Sequence, residues 1–148
     1  IDMDENFKPE IVVLFCRQSV DPATDISAVI GLLHVGRSRL VALPCSSKTD
    51  VPHILKVLED GADGVLIVAC PDKACRFMVG NVRAEKRIRY VQNLLESAGL
   101  EGARVSLIRG VGLTADNLAE QVDKQAMTVR SLGINPIKGW PIKGENRR

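Results

Sequence analysis

Aromatic residues are scarce in this chain, with one Trp, one Tyr and three Phe among 148 residues. So few rings cannot build a surface that stacks successive bases. A net charge of +2 gives none of the bulk attraction that draws nucleic acid or an anionic membrane. No apolar stretch approaches the roughly 20 residues that span a bilayer. The expectation is no nucleic-acid partner, no direct membrane insertion and a cytoplasmic location, with membrane association only through partner subunits. The opening Ile1-Asp2-Met3-Asp4-Glu5-Asn6 lacks the basic-then-apolar order of an export signal. Beginning on Ile1, the chain reads as processed or as the end of a longer polypeptide, with residues 1–10 a leader or linker.

At 45% hydrophobic, the chain can fill the core of one domain. There are four cysteines, and three of them close runs that read as buried strands. These are Ile11 to Cys16, Leu40 to Cys45 and Gly64 to Cys70; Cys75 follows in the loop that leaves the third. If the strands lie parallel, their carboxyl ends share the edge where open α/β sheets bind ligands.

Helical patterns separate the strands. Thr24 or Asp25 caps a first helix with Ile26, Val29, Ile30 and Leu33 on its apolar side. Thr49-Asp50-Val51-Pro52 starts a second, with Ile54, Leu55 and Leu58 inward and Gly61 as its stop. A third runs from about Gly80 to Ala98 with Ala84, Ile88, Val91, Leu95 and Ala98 on one face. A fourth strand spans Arg104 to Ile108. Gly110-Val111-Gly112 then makes a turn, and Thr114 caps a last helix carrying Leu118, Val122, Ala126 and Val129. Alternating βα units and apolar runs without polar alternation predict an α/β fold: a four-stranded parallel, doubly wound sheet of the flavodoxin or Rossmann kind, covered on both faces, in the order 2-1-3-4. Residues 11–133 form this domain. Residues 134–148 read as an extended arm, because Pro-Ile-Lys-Gly occurs twice around Trp140. That tryptophan is a candidate anchor on a partner.

Several chemistries are open to the thiols. Two disulfides are one reading, although a small secreted scaffold would carry more cysteines per residue and less core. Zinc sites pair cysteines at C-x(2–4)-C, and Cys70 to Cys75 lies at the edge of that range. A 2Fe-2S cluster takes four protein ligands, and C-x4-C is one of its spacings. A Rieske site needs two histidines, but His34 and His53 both fall on helical patterns away from the cysteine edge. Cys45, followed by Ser46, Ser47 and Lys48 at a helix start, could act as a single activated thiolate. Lys73, Arg76, Arg83, Lys86 and Arg87 crowd the loop and the start of the third helix, where the macrodipole disfavours cations. An anionic guest or an acidic partner surface would compensate them, and a four-thiolate 2Fe-2S cluster carries about −2 when oxidised.

The string resembles the delta subunit family of methyl-viologen-reducing hydrogenase. The matching pieces are Phe15-Cys16, Pro44-Cys45-Ser46 with Asp50, Gly61-Ala62-Asp63-Gly64-Val65-Leu66, Cys70 with Cys75, and Gly80-Asn81-Val82-Arg83-Ala84-Glu85-Lys86-Arg87. The resemblance runs from about Ile11 to Gly133. It implies a 2Fe-2S cluster with Cys16, Cys45, Cys70 and Cys75 as the iron ligands, and electron transfer between a redox partner and the flavin subunit of a heterodisulfide-reductase-type complex. The implied partners are hydrogenase subunits or a heterodisulfide-reductase-like flavoprotein. Flavoproteins such as the B subunit of the quinone-interacting membrane-bound oxidoreductase look similar in carrying such a domain at the C-terminus. Two departures stand out: Arg17, Gln18 and Ser19 follow Cys16 where the family often has further cysteines, and Arg76-Phe77 replaces its usual His-Tyr.

Two functional classes follow. One is an electron-transfer module, not a catalyst by itself, with Lys73, Arg76, Arg83 and Arg87 as tuning or partner-facing charges and Trp140 as a partner contact. The other is a cluster-free docking scaffold between redox subunits, in which the cysteines act as small apolar residues.

Overall fold

Four parallel strands, β1 (Glu10–Cys16), β2 (Arg37–Leu43), β3 (Gly64–Ala69) and β4 (Val105–Arg109), form one sheet in the order β2-β1-β3-β4. Helices α1 (Ile26–Gly31), α2 (Val51–Glu59), α3 (Met78–Ser97) and α4 (Ala115–Leu132) connect and follow them. The computed structural model describes residues 7–43, 51–69 and 78–136. The expected fold class and strand order are both present. Packing places α1 and α4 on one face of the sheet and α2 and α3 on the other.

Two cores result, one on each face. Val12 and Leu14 of β1 and Val65 and Ile67 of β3 pack against Ile54, Leu58, Ile88, Val91 and Leu95 of α2 and α3. Ile11, Val13 and Phe15, with Leu66 and Val68, pack against Val29 of α1 and Leu118, Val122, Ala126 and Val129 of α4. The two central strands therefore bury every residue from Ile11 to Cys16 and from Gly64 to Ala69. Their apolar runs lack alternation because neither face meets water.

The second strand departs from expectation. It begins at Arg37, ends at Leu43 before Cys45, and is not covered on both faces: Arg37, Arg39 and Val41 are exposed. Among the described residues it is an edge strand paired only with β1, from Glu10↔Arg37 to Cys16↔Leu43. An edge strand keeps arginines that a central strand would expel, and such charges protect the open edge.

Smaller differences have local causes. Asp25 caps α1, its carboxylate accepting from Ser27 N at 3.1 Å, but the helix is short and Ile30 is 54% exposed. Leu33 packs from the loop beyond it. Helix α3 begins at Met78, and Ala98 lies past its end, exposed. Arg104 does not open β4. It closes a 3-10 turn, Gly102–Arg104, and is buried to 1% because its guanidinium donates to Glu101, to Asp63 O and to Leu132 O and Ile134 O.

Asp63, buried to 1%, is the tie at the amino edge of the sheet. Its carboxylate accepts from Glu10 N and from Asn135 N, both at 3.0 Å. Asn135 in turn donates its amide to Leu58 O at 2.9 Å and Ala62 O at 2.8 Å. One carboxylate thus joins the entry of β1, the start of β3 and the segment after α4. The stretch Gly61-Ala62-Asp63-Gly64 reads accordingly: Gly61 takes φ +129, and a Cβ on Gly64 would lie 2.6 Å from the Val129 side chain. The composition change near Gly133 coincides with the C-cap of α4, whereas Asn135 beyond it is 2% exposed. Residues 137–148 lie outside the described residues.

Asn135→Ala removes both amide bonds and should lower unfolding stability by about 2 kcal/mol, measured in urea. A chain ending at Gly133, which lacks Asn135 altogether, should show at least that loss in the same assay. At the cap of α4, Thr114 and Asn117 exchange reciprocal bonds, each 3.2 Å. Thr114→Ala should cost about 1 kcal/mol of stability by thermal melting.

Candidate iron–sulfur edge of the sheet

The last rung of the sheet is set by register. Cys16 pairs with Leu43, and Ala69 pairs with Arg109. Because Phe15 pairs with Val68, Cys16 stands level with Ala69. The rung therefore reads Leu43, Cys16, Ala69, Arg109 across β2, β1, β3 and β4. Side chains alternate along a strand, and Leu14, Ile67 and Leu107, two positions back, belong to the α2/α3 core. The four rung side chains accordingly share that face. Cys16 is 2% exposed and Ala69 is 0% exposed. Neighbouring strands lie about 4.8 Å apart, so the backbones at Cys16 and Arg109 are separated by about 10 Å, with Ala69 between them on the rung.

The loops behind the rung are tied to one another. Ser19, fully buried in the 3-10 turn Arg17–Ser19, donates its hydroxyl to Cys16 O at 2.6 Å. Leu113 N donates to Ser19 O at 3.1 Å, Asp21 N to Leu113 O at 3.0 Å, and Gly110 N to Ala69 O at 2.9 Å. The Thr24 hydroxyl adds a bond to Leu113 O at 2.9 Å. The turn expected at Gly110-Val111-Gly112 is present, and with these bonds it fixes the ends of β1, β3 and β4 relative to one another.

Charge enters the rung from β4. Arg109 Nη2 meets Glu85 Oε1 of α3 at 2.7 Å, with side-chain exposures of 26% and 37%. The other oxygen of Glu85 takes Arg89 Nη2 at 2.9 Å. One carboxylate thus links a guanidinium of β4 to one of α3. Neither Arg109 nor Glu85 stands out in the sequence, where β4 reads as ending at Ile108. The usable signal is topological: the terminal residue of every parallel strand lies on the same edge.

Of the expected ligands, Cys16 is in place at that edge. Cys45, Cys70 and Cys75 lie outside the described residues, as do Lys73, Arg76 and Trp140. The chain leaves β2 at Leu43 and β3 at Ala69, both on the rung of Cys16, and is described again from Val51 and Met78. Arg83 belongs to α3, and Arg87 lies on the same helix, partly buried. Among the described residues no three His, Cys, Asp or Glu side chains converge as a metal site.

The histidines need a correction. His34 is not helical; it lies exposed in the loop after α1, near the amino edge, where its backbone N–H donates to Asp123. His53 is in the first turn of α2, the helix entered from the carboxyl edge of the sheet, the edge at which Cys16 ends β1. The two histidines stand at opposite edges and form no pair. No helix among the described residues is long and apolar enough to cross a membrane.

Residues 11–133 match the family described as methyl-viologen-reducing hydrogenase, delta subunit. The vhu iron-sulfur subunit of the F420-non-reducing hydrogenase from Methanocaldococcus jannaschii is 31% identical over 130 residues, 88% of this chain and 97% of that protein. The iron-sulfur subunit of the F420-non-reducing hydrogenase from Archaeoglobus profundus is 30% identical over 131 residues, 88% of this chain and 96% of its own length. One subunit of the ferredoxin/F(420)H(2)-dependent CoB-CoM heterodisulfide reductase from Methanosarcina acetivorans is 27% identical over 97 residues, which is 66% of this chain and 12% of that longer protein. The chain belongs to the methyl-viologen-reducing hydrogenase delta subunit family.

Proposed function

We propose that this domain is an electron-transfer module holding a 2Fe-2S cluster through Cys16, Cys45, Cys70 and Cys75. The observation that carries the reading is the last rung of the sheet. Cys16 ends β1 there, 2% exposed, and in the sequence Cys45 lies two residues and Cys70 one residue beyond the strand ends on that rung. The relatives named as iron-sulfur subunits support the element, and four thiols support the cluster type.

When bound, such a cluster supplies one-electron transfer without proton chemistry on the protein. The chain's own residues do the rest. The Ser19 bond to Cys16 O and the links among Asp21, Leu113, Gly110 and Ala69 hold the strand ends still, which keeps ligand reorganisation small. Burial of Cys16 excludes water from its thiolate. The partners proposed are hydrogenase subunits or a heterodisulfide-reductase-like flavoprotein, the assemblies named for the relatives, with a cytoplasmic setting. Arg87 and the segment around Trp140 are the proposed partner-facing groups.

Protein purified without oxygen should contain about two iron and two acid-labile sulfide per chain, with visible absorption that bleaches on reduction. Cys16→Ser and Cys70→Ser should each lose most of that absorption. Iron-free protein after anaerobic reconstitution would contradict the reading and favour a cluster-free scaffold. Cys16→Ala should leave the far-ultraviolet spectrum unchanged, since a buried cysteine packs as a small apolar residue.

A further inference from the structure

Helix α4 carries a groove on its solvent side, beside the end of α1. The groove holds about 720 Å³ and is lined by Leu32, Ala119 and Met127 among others. Ala119 is buried, whereas Leu32 is 37% and Met127 61% exposed. Large apolar side chains left to water around one hollow mark a surface of association.

The charges on α4 select the occupant. Glu120 and Lys124 line the same groove, both exposed and one helical turn apart. Among the described residues, neither side chain is engaged in a hydrogen bond or an ion pair. Two copies of α4 laid antiparallel, with a two-fold axis over Val122, bring Glu120 of each copy opposite Lys124 of the other. To within one residue, about 1.5 Å along the helix, the same axis sets the Met127 side chain of each copy over Ala119 of the other. Asp116 falls opposite the uncharged Thr128 of the other copy. Asp123 lies beside the axis, where two free carboxylates would repel. Both of its oxygens, however, accept from the loop after α1, from His34 N at 3.1 Å and Val35 N at 3.0 Å. Those bonds hold the carboxylate toward its own loop and offset part of its charge.

We infer that the groove between α1 and α4 is the docking surface for a second copy of this chain, with the two α4 helices antiparallel about a two-fold axis. The interface is isologous, so each favourable contact is made twice. It lies on the α1/α4 face and leaves the α2/α3 face, toward which the Cys16 rung points, uncovered. The inference therefore does not depend on the cluster.

Sedimentation equilibrium of the complete chain, up to near-millimolar concentration, is the test. The parent should show a monomer–dimer equilibrium. Glu120→Lys and Lys124→Glu should each weaken it by about tenfold or more, because both cross-axis pairs become like-charged. Mixed in equal amounts, the two single variants should associate with each other, since every pair across the axis is again of opposite charge. Met127→Ala should weaken the parent dimer as well. A parent that stays monomeric throughout would overturn the inference and leave the groove to a different subunit. A dimer unmoved by either charge reversal, or single variants that fail to associate on mixing, would overturn it too. If one variant melts below the parent, Met127→Ala and the other charge reversal decide the matter.

Discussion

Everything at the functional edge depends on two parallel strands, β1 and β3, that are buried on both faces. A strand with no solvent face cannot slip by one residue without moving its whole apolar set into the wrong core. That constraint fixes the register from Ile11↔Gly64 to Phe15↔Val68, and the register puts Cys16 level with Ala69. The position of the rung follows from packing along the full length of the strands. The thiol at its end is held by the core behind it rather than by the loop in front of it.

The two edges of the sheet divide the work. At the amino edge the buried Asp63, Arg104 and Asn135 bond to backbone groups from four different parts of the chain, and these bonds close the domain. Buried polar groups carry a desolvation cost that is recovered only when every partner is present, so such an edge is rigid. At the carboxyl edge the bonds run among loops instead, through Ser19, Leu113 and Gly110. The buried polar ties gather at one end and the proposed cluster site lies at the other, the arrangement expected when ligands gather beyond the carboxyl ends of parallel strands.

Much of this is legible in the sequence, for reasons that differ by element. The doubly buried strands announce themselves as unbroken apolar runs, and α4 is readable from Thr114 and the spacing of Leu118, Val122, Ala126 and Val129. The edge strand β2 is misplaced because an apolar-run criterion cannot see Arg37 and Arg39 as strand residues, although an edge tolerates them. Arg104 misleads in the opposite way, since full burial of an arginine depends on carbonyls supplied from distant parts of the chain. At the site, Cys16 is legible as a strand-ending thiol. Arg109 and Glu85 are not, because they are 24 residues apart and meet only through the packing of α3 on β4.

The location of the cluster is the central claim, and paramagnetic broadening in a proton–nitrogen correlation spectrum tests it most directly. In anaerobic, cluster-loaded protein the amide signals of Cys16, Arg17, Ala69 and Gly110 should broaden beyond detection. Those of Asp63, Ile134 and Asn135, at the opposite edge, should remain sharp. Sharp signals at the Cys16 rung, or broadening centred on the amino edge, would contradict the account.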